Sequence, residues 1–85
     1  MLNVTGRVQG VFYRATANEI AIELGLKGYV MNMNDGSVFI EAEGTIEQLT
    51  KFIEWCKRGP SRAIVTDVNI QEGMVKEFTD FKIRH

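Results

Sequence analysis

The chain has 85 residues, of which 45% are hydrophobic and 25% are charged, and its formal net charge is −1. This length allows one hydrophobic core, so we expect a single domain over residues 1–85. The apolar runs are too short for a membrane-spanning helix and the chain lacks the basic character that favours nucleic-acid binding, so we expect neither partner.

The N-terminal part of the chain predicts a strand, a loop and a helix. Residues 2–8 place apolar side chains at alternating positions, which is typical of a strand. From Tyr13 onward, apolar residues recur at helical spacing, and Gly25 provides a C-terminal stop. The loop between strand and helix is therefore short and rich in glycine.

The middle of the chain predicts a β-hairpin. Two β-rich segments, 27–33 and 37–43, flank the sequence Asn34-Asp35-Gly36. Asp-Gly tolerates the positive φ of a tight turn, so the two segments should pair as antiparallel strands.

The segment "TIEQLTKFIEWCKRGP" predicts the second helix. Thr45 is its expected N-cap, and Gln48 lies where the reciprocal capping partner belongs. Gly59-Pro60 should end it. One apolar stripe is expected to face the core, formed by Ile46, Leu49, Phe52, Ile53 and Cys56.

Two further strands complete the pattern, one over residues 64–71 and a short one over about 79–84. The order is βαββαβ with an extra C-terminal strand. It predicts the ferredoxin-like α+β sandwich, an antiparallel sheet with both helices on one face. This fold hosts many functions, so function has to come from a site.

A few other residues have simpler interpretations. Cys56 should be a buried small apolar residue, and Trp55, which lies off the stripe, should be partly exposed at an edge. Arg62 and Arg84 are expected to pair with acidic residues. With one cysteine, one histidine and no signal-peptide pattern, we expect a cytoplasmic monomer without disulfide, metal or cofactor.

The loop "GRVQGVFYR", residues 6–14, carries the functional signal. Backbone N–H groups before a helix N-terminus can converge on an anion, and Gly6 and Gly10 would let the backbone turn inward. Arg14 adds a planar fork that matches phosphoryl oxygens. A strand-to-helix turn with a solvated arginine is the alternative interpretation of the same residues.

Two motifs resemble those of one family. "GRVQGVFYR" resembles the phosphate-loop signature of the acylphosphatases, and "GLKGYVMNMNDGSV" resembles their second signature. The spacing of the motifs and the order of elements fit that family. The later segments "GPSRAIVTDV" and "FKIRH" resemble it more loosely, so that the likeness covers almost the whole chain.

The resemblance implies a metal-independent hydrolysis of acyl phosphates to a carboxylate and inorganic phosphate. Arg14 matches the arginine that binds the phosphoryl group, and Asn32 matches the asparagine that orients the attacking water. The backbone donors of the phosphate loop would come from Arg7, Val8, Gln9, Gly10, Val11, Phe12 and Tyr13.

Three positions depart from the family pattern. Phe12 stands where a small residue, often glycine, is usual, so its ring must point away from the phosphate or narrow the site. Met31 and Met33 flank Asn32 where a basic residue and a threonine are common. These departures keep an alternative open, namely a catalytically degenerate module that binds an anion or a partner protein without turnover. A nucleic-acid-binding module is disfavoured by the acidic third strand.

Overall fold

The computed structural model describes residues 1–85, which form five strands and two helices. The strands are β1 (Leu2–Arg7), β2 (Lys27–Asn32), β3 (Val38–Glu43), β4 (Ile64–Ile70) and β5 (Phe81–Arg84). The helices are α1 (Tyr13–Glu23) and α2 (Ile46–Arg58). Every predicted element is present, with boundaries that differ from the sequence-based ones by two residues or fewer. Neither helix combines the length and the apolarity that crossing a membrane requires.

The five strands form one sheet in the order β4-β1-β3-β2-β5. The pairs β4–β1, β1–β3 and β3–β2 are antiparallel, as predicted. The C-terminal strand β5 instead lies parallel to β2, so the complete sheet is mixed. The two helices contact each other and cover one face of this sheet, which confirms the ferredoxin-like α+β fold.

The hydrophobic core lies between the sheet and the helices. From α1 it takes the small residues Ala17 and Ala21, which allow the helix to approach the sheet closely. Strand residues that point to the helices are fully or almost fully buried, among them Leu2, Val4, Val30, Val38 and Ile40. Alternation along the strands is thus the pattern that builds this core.

Helix α2 has the predicted capping box and a shifted apolar face. The Gln48 backbone N–H donates to Thr45 Oγ1 at 3.1 Å, and the Thr45 N–H donates to Gln48 Oε1 at 2.8 Å. The predicted stripe is wrong at its start, because Ile46, the first helical residue, is 84% exposed. The predicted exposure of Trp55 is also wrong, since its ring packs between the helices, 5.1 Å from the Tyr13 ring, and is only 8% exposed. Packing against a second helix cannot be seen from one helix's periodicity.

The prediction for Cys56 is confirmed, whereas those for Arg62 and Arg84 are wrong. Cys56 is fully buried as expected, and burial raises the pKa of its thiol to about 12. Neither Arg62 nor Arg84 forms the expected ion pair. The Arg84 guanidinium lies 3.7 Å from the centre of the Tyr29 ring instead, a cation–π contact that the sequence does not reveal.

Strand β1 changes direction at Gly6. Its pairing with β4 is interrupted by a bulge between Thr5 and Gly6, where Gly6 has a φ of 125°. A Cβ atom at this position would overlap with the carbonyl oxygen of Ile64 on the neighbouring strand. Glycine is therefore required for the backbone course that leads from β1 into the following loop.

Replacing Gly6 by alanine should lower the free energy of unfolding by about 2 kcal/mol or more, because the added Cβ both clashes and opposes the positive φ. Urea unfolding measures this directly. Gly73→Ala is the matched control, since nothing lies within 4 Å of a Cβ there, and it should change stability by less than about 0.5 kcal/mol. Equal unfolding midpoints for the two variants would contradict this account of the bulge.

Candidate active site

The loop between β1 and α1 borders a cavity of about 290 Å³ that contains both predicted catalytic residues. Arg14 reaches it from the first turn of α1, and Asn32 from the last position of β2. Gly10, Phe12 and Tyr13 of the loop also line it. Residues from three separate parts of the chain therefore meet at one place.

The backbone N–H groups of the loop are free. None of those of residues 9–12 donates to a protein acceptor, and the same holds for residues 13–15 in the first turn of α1. The first N–H of the helix with a partner is that of Thr16, which donates to the Phe12 carbonyl at 3.0 Å. Gly10, with a φ of 73°, lies near the start of this run of free donors. Free donors at a helix N-terminus create a positive potential suited to an anion.

Three side chains in and next to the loop are anchored in the core. Val8 and Tyr13 are each 1% exposed, and Val11 packs against the core cluster. The Tyr13 hydroxyl donates to the Cys56 carbonyl at 2.7 Å, and burial raises the pKa of this phenol far above its usual value. Tyr13 is thus a structural residue by its side chain, and only its backbone is available to the loop.

Arg14 is held from the side of β5. One guanidinium nitrogen donates to the backbone carbonyl of Arg84 at 3.3 Å, and this is its sole hydrogen bond within the protein. Arginine carries five N–H donors, so most of them stay available to a ligand. Arg7, in contrast, is an exposed residue of β1 that does not line the cavity.

Asn32 offers an unused acceptor. Its Oδ1 atom is buried and accepts no hydrogen bond from the protein. Buried amide oxygens are nearly always hydrogen-bonded, so an unpartnered one beside a cavity suits a water or ligand donor. No aspartate or glutamate lines the cavity, and its ionisable side chains besides that of Tyr13 are Arg14 and His85.

Three lining residues were missed in the sequence, namely Ala15, Ile83 and His85. Ile83 and His85 reach the cavity from β5 and the residue that follows it. The segment 81–85 resembles the family pattern only loosely, and the parallel pairing of β5 with β2 has no local signal. Among residues 1–85 there is no group of three or more histidine, cysteine, aspartate or glutamate side chains that could hold a metal.

The three departures from the family pattern, Phe12, Met31 and Met33, leave the interior of the cavity unfilled. Phe12 has a left-handed backbone, with a φ of 63°, which explains why glycine is suited to this position. Its ring is 71% exposed, so it extends outward from the loop instead of filling the cavity. Met31 and Met33 do not line the cavity.

Comparison with known proteins agrees with this geometry. The acylphosphatase family model matches residues 1–83. An acylphosphatase of Marinobacter nauticus is 52% identical over 85 residues, which cover 99% of this chain and 92% of that relative. The crystal structure of acylphosphatase from Bacillus subtilis matches with a TM-score of 0.95 at 35% identity, over 99% of this chain and 94% of that one. An acylphosphatase from Coxiella burnetii matches with a TM-score of 0.94 at 38% identity, over 98% of this chain and 87% of that one.

A βαββαβ sandwich with both helices on one face and an extra C-terminal strand defines a class of small ferredoxin-like α+β domain. Within that class, the chain belongs to the acylphosphatase family.

Phe12→Gly should raise the free energy of unfolding by roughly 0.5–1 kcal/mol, because it removes a left-handed backbone strain while little buried surface is lost. Equilibrium unfolding in urea measures the change. Ala15→Gly, an exposed site in the same helical turn, should have the opposite sign, since it only adds backbone freedom. A destabilised Phe12→Gly protein would show that the phenyl ring contributes packing that outweighs the strain.

Proposed function

We propose that the protein hydrolyses the carboxyl-phosphate anhydride bond of small acyl phosphates, giving a carboxylate and inorganic phosphate. One observation carries this proposal, namely that Arg14 and Asn32 share a cavity with loop and helix residues whose N–H groups are free, among them Gly10, Phe12 and Ala15. Membership of the acylphosphatase family supports the same reaction.

The loop and Arg14 would bind the phosphoryl group. Phosphoryl transfer depends mainly on positioning and on stabilising charge at the three equatorial oxygens. Fixed backbone donors and a guanidinium provide both, because they need no reorganisation as charge develops. In this assignment the role of residues 7–13 lies in the backbone, since the side chains of Val8 and Tyr13 are buried.

Asn32 would position the attacking water. Its free Oδ1 can accept a hydrogen bond from that water, which then lies in line with the bond to be broken. The water oxygen bonds to phosphorus, the bond from phosphorus to the acyl oxygen breaks, and that electron pair leaves with the carboxylate.

Neither the leaving group nor the attacking water needs an acidic or basic side chain on this mechanism. The conjugate acid of the leaving carboxylate has a pKa of about 4, so the carboxylate departs without a general acid. No aspartate or glutamate lines the cavity, and we assign the water's proton to an oxygen of the substrate's own phosphate. On this mechanism neither a metal nor a cofactor is needed. A cytoplasmic location and a monomeric state remain predictions.

The first prediction concerns the two catalytic residues. With an aryl acyl phosphate as substrate and EDTA present, Arg14→Ala and Asn32→Ala should each lower kcat/KM by about 100-fold or more. Arg14→Ala should also weaken inhibition by inorganic phosphate, whereas Asn32→Ala should leave it nearly unchanged. Arg62→Ala and Asn69→Ala are matched controls, because both residues are exposed and neither lines the cavity, and both should be fully active.

Each outcome has a distinct meaning. An inactive wild type whose melting temperature still rises with inorganic phosphate would favour the degenerate anion-binding module. Full activity of folded Asn32→Ala would remove the assignment of the water to Asn32 without touching the reaction itself.

A second prediction concerns proton transfer. If the substrate's phosphate takes the proton, His85→Ala should lower kcat by less than about threefold, since no base is lost. The pH profile of kcat should likewise have the same shape for His85→Ala as for the wild type. A loss of 100-fold in a folded His85→Ala protein would assign the base to His85.

A further inference from the structure

The two halves of the site lie where the sheet opens. Strand β1 pairs with β3 at only three positions, which end at Val4 opposite Val38. Beyond Val4, β1 pairs with β4 alone, and the bulge at Thr5 and Gly6 turns it further. No backbone ladder therefore connects the loop with the β2–β3 hairpin that carries Asn32.

One side chain spans this opening. The Gln9 amide nitrogen donates to the carbonyl oxygen of Met33 at 2.7 Å and to that of Ser37 at 2.9 Å. A glutamine side chain has two amide hydrogens, so both are used. The two acceptors close the hairpin turn, since the Met33 N–H also donates to the Ser37 carbonyl at 2.8 Å. Gln9 thus holds the loop to the residue directly after Asn32.

The far side of this bridge is rigid. Asp35 Oδ1 accepts from the Ser37 N–H at 2.9 Å and from the Ser37 hydroxyl at 2.6 Å, and these bonds hold the pKa of Asp35 below its usual value. Asn3 of β1 donates to the same hydroxyl at 3.1 Å, and Ser37 is only 2% exposed. A turn fixed in this way cannot follow the loop if the bridge is lost.

We propose that Gln9 is a positioning residue, which sets the phosphate loop and Arg14 at the correct distance from Asn32. The role rests on the proposed function of these residues. Gln9 does not line the cavity and its donors are occupied, so its side chain acts through the hairpin and does not touch the substrate. Alignment of a water with the reacting bond is sensitive to displacements of an ångström.

The central test is Gln9→Met, which keeps the length of the side chain and removes both donors. With an aryl acyl phosphate, kcat should fall about 10- to 100-fold, while KM and the inhibition constant of inorganic phosphate should change less than threefold. Gln71→Met is the matched control, an exposed glutamine whose side chain bonds nothing, and it should behave as wild type.

A double-mutant cycle separates positioning from general damage. In the Asn32→Ala background, Gln9→Met should lower kcat by less than twofold further, because the group that it positions is already gone. Independent losses that multiply would overturn the positioning role.

Gln9→Glu gives a readout that needs no comparison of stabilities. Its carboxylate would repel the two carbonyl oxygens at neutral pH, whereas the protonated carboxyl can donate one hydrogen bond. The kcat of Gln9→Glu relative to wild type should therefore rise as the pH falls through the carboxyl pKa. This result is expected even if Gln9→Met fails to fold, and a flat ratio would contradict the proposal.

The outcomes distinguish a failure of the proposed reaction from a failure of the role proposed for Gln9. An inactive wild type contradicts the proposed function. An active wild type with an equally active Gln9→Met protein contradicts only the role of Gln9, as does a variant that loses phosphate binding while kcat is retained.

Discussion

The site depends on the early separation of β1 from β3. The two strands pair over three positions and then part, while β1 stays paired with β4 through a bulge between Thr5 and Gly6. This divergence creates the space into which the loop turns and from which Arg14 and Asn32 are reached. The free N–H groups lie beyond the end of β1, in the loop and the first turn of α1, where no ladder partner is available. The candidate site therefore lies where the pairing of β1 with β3 has ended.

Several features that cost stability lie around this space. They include the left-handed Phe12, the unpartnered Oδ1 of Asn32 and the unpaired loop donors. The compensating interactions lie elsewhere, in the capping box of α2, in the buried Tyr13 hydroxyl bond and in the close packing of α1 on the sheet. Such a division is expected of a domain whose reaction requires fixed, unsatisfied donors, because strain persists only when the surrounding structure determines it.

The sequence predicts what is local and misses what arises from packing between distant elements. The hairpin turn at Asn34-Asp35-Gly36 and the cap at Thr45 have chemistry of their own, so both could be located in advance. The burial of Trp55 depends on a second helix, and the exposure of Ile46 depends on where the sheet ends, so periodicity misjudges both. In the site, the meeting of Arg14 and Asn32 follows from motif resemblance. The bridge from Gln9 requires knowledge of how two loops lie relative to each other in space.

The small net charge of the chain leaves the electrostatic potential of the cavity to local groups. With a formal charge of −1, the chain has no global field that favours phosphate. The acidic residues of β3 are engaged on the outer face, where Glu41 pairs with Lys76 at 2.7 Å and the Glu43 carboxylate accepts the Phe78 N–H at 3.1 Å. Among the cavity's lining residues, positive potential comes from the Arg14 guanidinium and from the free backbone N–H dipoles of the loop. Because fields in water are screened within about 10 Å at ordinary ionic strength, the potential in the cavity depends on these local groups and not on the overall charge.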